Sequence, residues 1–146
     1  MKVQAILQPD QTSTRLLPLA GSKIPAGFPS PADDFVEGTL DIATHLIKHP
    51  AATFFVRATG DSMEQAGIYT NDILVVDRSL EAQNNDIVIA ALDGELTVKR
   101  IRFNQKKVTL LPENDSYAPV TISKDHDFHI WGVVTYVIHQ TSRRSF

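Results

Sequence analysis

Hydrophobic and polar positions change rhythm along this chain. Over residues 1 to about 32 no helical or alternating pattern persists, and Pro9, Pro18, Pro25, Pro29 and Pro31 punctuate the stretch together with Gly21 and Gly27. That punctuation predicts a flexible or extended N-terminal arm over 1–32 rather than a packed domain. From Phe35 to His49 the spacing of Leu40, Ile42, Leu46 and Ile47 predicts one short helix, mainly between Thr39 and Lys48 and stopped by Pro50. After Pro50 the chain reads as strands: Thr53 to Ala58, Ile73 to Val76, Asp86 to Leu92, Glu95 to Phe103, Lys107 to Leu111 and Phe128 to Ile138. Asp93-Gly94 separates two of them and signals a two-residue hairpin, because both residue types tolerate positive φ. Short strands with turns between them predict a mainly β, antiparallel domain, barrel-like or sandwich, over 33–146.

Composition narrows the function more than the fold. The chain has 146 residues, 42% of them hydrophobic and 21% charged, with a net charge of -3. That suits one compact domain and argues against strong direct binding of nucleic acid, which needs basic residues to meet phosphates. No cysteine is present, so disulfides, thiolate metal sites and cysteine nucleophiles are excluded. No apolar run approaches the roughly 20 residues of a membrane span, and no secretory signal is visible at the start, so a cytoplasmic location with no membrane partner is expected.

The chemistry concentrates on Ser62, in the polar turn Gly60-Asp61-Ser62-Met63, and on Lys99, in the strand Thr97-Val98-Lys99-Arg100. A serine hydroxyl attacks only when a base takes its proton, and a lysine serves as that base only when burial or a neighbouring positive charge keeps its amine neutral. Strand alternation puts Thr97, Lys99, Ile101 and Phe103 on one face, and Val98, Arg100 and Arg102 on the other. If the Ile101 and Phe103 side faces the core, Lys99 turns inward; Leu96 and Val98 leave that open. Taken singly, a strand lysine is usually a surface residue and a serine after Gly-Asp is usually a turn residue. Together they are a more specific signal than either alone, and such chemistry would need oxyanion donors, for which the backbone N–H groups near Asp61 and Ser62 are candidates.

Around that pair the sequence resembles a known family. Gly60-Asp61-Ser62-Met63, the run Asn71 to Asp77, Asp86-Ile87-Val88, the run Asp93 to Arg100, and Trp131-Gly132-Val133-Val134 look like the LexA/UmuD family of self-cleaving Ser-Lys peptidases. The likeness covers about residues 26 to 140 and is closer to the UmuD branch. Gly27-Phe28-Pro29-Ser30-Pro31 resembles the segment just after that branch's cleavage site, which places the scissile bond between Ala26 and Gly27; Ala20-Gly21 is a second Ala-Gly pair. The resemblance implies a LexA-type fold, Ser62 as nucleophile, Lys99 as general base, and no cofactor or metal. Its implied partners are a second copy in a homodimer, a RecA nucleoprotein filament that stimulates autoproteolysis, and a UmuC-type Y-family polymerase subunit that the trimmed chain joins.

Other constellations carry less. His45 and His49 stand four apart without a third ligand and read as a surface pair. His126, His129 and His139 read as surface or interface residues. Neither the G-x-S-x-G elbow nor S-x-x-K surrounds Ser62, and no Gly-rich phosphate loop occurs. Lys106-Lys107 and Arg143-Arg144 read as turn and tail residues. The apolar stretch from Phe128 to Val137 offers one face to the core and another to a dimer partner. The alternatives are a signal-peptidase-type enzyme, which should carry a membrane anchor, a truncated repressor remnant, and a non-catalytic dimeric β-domain with an inert Ser62.

Overall fold

The computed structural model describes residues 1–9, 16–20 and 36–144. They fall into two units. One contains Met1–Pro9 and the chain from His49 onward, and the other lies within Asp10–Lys48.

In the larger unit, strands β1 (Lys2–Leu7), β4 (Thr53–Thr59), β5 (Ile73–Asp77), β6 (Ile87–Leu92), β7 (Glu95–Asn104), β8 (Lys107–Leu111), β9 (Val120–Thr121) and β10 (Phe128–Ile138) form one antiparallel sheet in the order β1-β4-β5-β10-β6-β7-β8-β9. Lys2 of β1 also pairs with Thr97 of β7, so six strands close into a barrel and β8 and β9 extend from it. β10 makes this closure possible by serving two neighbours in turn. Its first half, Phe128 to Val133, pairs β6, and Val133 to Ile138 pairs β5, with a register shift in each ladder. Such irregularities bend a strand and increase its twist, which a small barrel requires.

Local chemistry sets the register. Asp93 and Gly94 take φ of 51° and 85°, and their two-residue turn aligns Leu92 with Glu95 and Val88 with Lys99. The core lies on both sides of this hairpin. One cluster gathers Met1, Val56, Met63, Leu74, Ile89 and Val98 with their neighbours, and the other Val88, Ala90, Ile101, Leu110 and Val133. Val98 and Ile101, which point to opposite faces of β7, are both fully buried. The inward face of β7 was therefore not a choice between two sides, because each side meets a core.

The smaller unit pairs β2 (Leu16–Ala20) with β3 (Val36–Asp41), followed by α1 (Ile42–Leu46). The helix expected between Thr39 and Lys48 is shorter, because Thr39, Leu40 and Asp41 belong to the β2 ladder. Asp41 then caps the helix, accepting from the Thr44 amide at 3.4 Å and the Thr44 hydroxyl at 2.6 Å. At the start of the chain the sheet departs from the reading of 1–32 as an arm: Lys2–Leu7 is a strand. Lys2 and Gln4 face solvent while Val3 and Ala5 are half-buried, a period of two that the prolines downstream overshadowed. Among the described residues no helix is long and apolar enough to cross a membrane.

Candidate active site

Ser62 is delivered by the turn after β4, and five contacts fix that turn. Gly60 has φ of 108°, a region closed to most side chains, and the Thr70 hydroxyl takes its N–H at 2.8 Å while donating to its carbonyl at 2.9 Å. The Glu113 N–H donates to the Ser62 carbonyl at 2.7 Å, and the Asn114 amide donates to the Asp61 carbonyl at 2.9 Å. The Tyr117 hydroxyl donates to the Asp61 carboxylate. Below the turn Met63 is fully buried, an anchor of about 1.5–3 kcal/mol of apolar burial. Among the described residues nothing accepts from the N–H groups of Asp61 and Ser62, as an oxyanion site requires.

Lys99 comes from β7. Its Nζ lies 3.1 Å from Ser62 Oγ, 3.2 Å from Thr97 Oγ1 and 3.1 Å from the Val98 carbonyl. Among the described residues no carboxylate forms an ion pair with it. Burial therefore dominates and lowers the amine's pKa from the ordinary 10.5, with a hydrogen bond to the Met1 amine working the other way. Lys99 thus has no carboxylate partner among the described residues and lies beside Ser62, which is 1% exposed.

The structure adds a third group, which sequence reasoning missed. The Met1 amine donates to Ser62 Oγ at 2.5 Å, and the Met1 carbonyl accepts from Val98 N–H at 2.9 Å and Thr97 Oγ1 at 2.8 Å. Burial, helped by the hydrogen bond and charge of Lys99, pulls this amine's pKa from 8.0 to about 5. Asn114, Tyr117 and Glu113 also escaped notice, since only the tertiary fold brings their loop to Asp61. Thr97 was legible as a face-mate of Lys99.

Ser62 and Lys99 thus meet, as the sequence required of a dyad. A family comparison identifies the setting: the model of Peptidase S24-like proteins matches residues 18–135. The chain belongs to the Peptidase S24-like family. Protein SamA of Salmonella typhimurium is 47% identical over 124 residues, covering 85% of this chain and 86% of the relative. Protein ImpA of Escherichia coli is 47% identical over 133 residues, 91% of this chain and 90% of its own. Protein MucA of Escherichia coli is 38% identical over 137 residues, 93% of each. The likeness to LexA and UmuD peptidases read from the motifs is the one these matches bear out, and the family is one of serine peptidases.

Other sequence candidates fall elsewhere. Ala26, Gly27 and Gly21 lie outside the described residues, and Ala20 ends β2 opposite Val36. His49 is not on the helix with His45: its Nδ1 meets the Asp77 carboxylate at 2.5 Å, and Asp77 also holds the Ser79 hydroxyl and amide. His139 meets Asp72 at 2.5 Å, and His126 accepts from the Ser123 amide. The partners of Ser62 Oγ are the Lys99 and Met1 amines, so neither His-Asp pair builds a triad with Ser62. Among the described residues no cluster of ligands suits a metal ion.

Proposed function

We propose that this chain is a UmuD-like SOS mutagenesis protein that cuts itself between Ala26 and Gly27. The observation that carries the reading is the uncompensated Lys99 amine 3.1 Å from Ser62 Oγ. Neutral Nζ takes the Ser62 proton, and Oγ bonds to the Ala26 carbonyl carbon while the amides of Asp61 and Ser62 hold the oxyanion. The C–N bond then breaks, and the Lys99 ammonium gives its proton to the Gly27 amine. Water, losing a proton to Nζ, attacks the acyl group, and that proton returns to Ser62 as the ester opens. Only one turnover per chain is needed, so tethering of substrate to enzyme supplies the effective concentration. A RecA filament stimulates the reaction, and the trimmed chain, as a homodimer in the cytoplasm, joins a UmuC-type polymerase subunit for synthesis past lesions.

The test is incubation at alkaline pH with intact mass followed over time. The wild type is expected to lose an N-terminal piece ending at Ala26, and Ser62→Ala to stay whole. A Gly27 terminus appearing from Ser62→Ala at the wild-type rate removes Ser62 as nucleophile.

A further inference from the structure

β1 lies where a substrate would have to lie. It runs antiparallel to β4, from Lys2 opposite Thr59 to Leu7 opposite Phe55, and its leading residue enters the dyad. Met1 is 7% exposed, and its amine and carbonyl are both spent on the site, the first on Ser62 Oγ and the second on Thr97 and Val98. A scissile carbonyl must come within about 3–3.5 Å of the attacking oxygen. That space is held by Met1.

The pose is also informative. When a peptide bond is cut here, the downstream half is left with its new amine beside Oγ and Nζ, and its backbone running away from the dyad. The Met1 amine and β1 reproduce that arrangement. The ladder to β4 reads main chain, so the groove takes an extended peptide with little regard for side chains. At Gly60 the two chains are in contact: an added Cβ would stand 3.5 Å from the Met1 Cα, an ordinary van der Waals distance.

We infer that β1 and the segment beginning at Gly27 use one groove, the edge of β4 beside β7, and that β1 must leave before Ala26-Gly27 can enter. The first strand is then a self-occupying plug that keeps the peptidase silent. The inference rests on the self-cleavage reading for its substrate, while the occupancy itself is a matter of β1 and Ser62. The strand is built to be removable, since Lys2, Gln4, Ile6 and Leu7 are exposed and only Met1 is fully packed, with Val3 beside it.

The chain has no cysteine, so one engineered pair reports cleanly. Lys2 and Thr59 are cross-strand partners, at a separation that a disulfide spans. In Lys2→Cys with Thr59→Cys, oxidation is expected to slow three readouts at least tenfold relative to the reduced protein. They are labelling of Ser62 by a serine-directed fluorophosphonate, self-cleavage, and hydrogen exchange of the Val98 amide, which donates to Met1. Reduction restores all three. Val98 exchange equal in the two forms overturns the inference, whatever the chemistry does. Cleavage at equal rates in both forms also overturns it and leaves the self-cleavage reading intact. Faster labelling and exchange on reduction, with no cleavage in either form, sustains the plug and sinks self-cleavage. Val3→Asp, which loosens β1 without a cross-link, should speed labelling at least threefold in a protein with an unchanged circular dichroism spectrum. Slower labelling in that folded protein means β1 supports the site and the inference fails.

Discussion

The rate of self-cleavage should follow the charge on one nitrogen. An ordinary lysine has a pKa of 10.5, so at pH 7.5 only about 0.001 of such amines are neutral. Burial lowers the Lys99 value, and each unit of lowering makes the reactive form tenfold more abundant. Below the folded pKa the rate should therefore rise tenfold per pH unit, and above it the rate should be flat. The break must come before 10.5. The Met1 amine stands at about 5 in place and at 8.0 ordinarily, so release of β1 takes up a proton between those values and offsets the Lys99 slope there; the Lys99 slope is read above pH 8. The assay is the first-order loss of intact mass in buffers from about pH 6 to 11 at constant ionic strength, with Lys99→Ala expected to lose about 10²–10⁴ in rate. Stability must move with the same sign. The folded pKa is the lower one, so the unfolded chain binds more protons between that value and 10.5; the Lys99 contribution to stability is fully present above 10.5 and is lost as pH falls through the folded value. Lys99→Met should flatten that dependence in urea titrations. A rate that climbs with unit slope past pH 10.5, or that ignores pH, refutes Lys99 as the base.

Two further predictions test the scaffold. A Cβ on Gly132 would stand 2.6 Å from Val76 Cγ1 and 3.2 Å from Arg78 Cγ, and Val76 is fully buried. Gly132→Ala should cost about 1–3 kcal/mol by overpacking, lowering Tm by roughly 2–4 °C per kcal/mol; an unmoved melt would mean that β5 yields freely. Asn114→Ala removes the 2.9 Å bond to the Asp61 carbonyl and should slow cleavage about 2- to 10-fold, the rate equivalent of one neutral hydrogen bond. The break in the pH profile should stay in place; if it moves, Asn114 acts on Lys99 rather than on the serine turn.

Much of the barrel was legible because its information is local. Asp93-Gly94 fixes the β6–β7 register, and through it the place of Lys99, without help from distant residues. The polar turn around Ser62 was equally visible, as was the pairing of the two side chains once family motifs gave their order. The short helix is present but begins later than its spacing suggests, because Leu40 fits a helical face as well as it fits a strand, and the choice is made by Leu17, which pairs Leu40. β1 was missed for a related reason. Its alternation spans six residues and reads weakly until β4 and β7 are beside it. The loop from Glu113 to Tyr117 lies some fifty residues from Ser62 in sequence, and no periodicity announces such a clamp.

The ring of strands is joined at its seam by a single matched pair, Lys2 with Thr97. Opening that seam leaves two bare strand edges facing one another across the width of one stave, and such edges accept any main chain in the right direction. A second copy's leading strand has the same sequence and would meet the same edges, and the exchange would be reciprocal if two molecules shared it. Protein concentration would then decide whose methionine sits on whose serine.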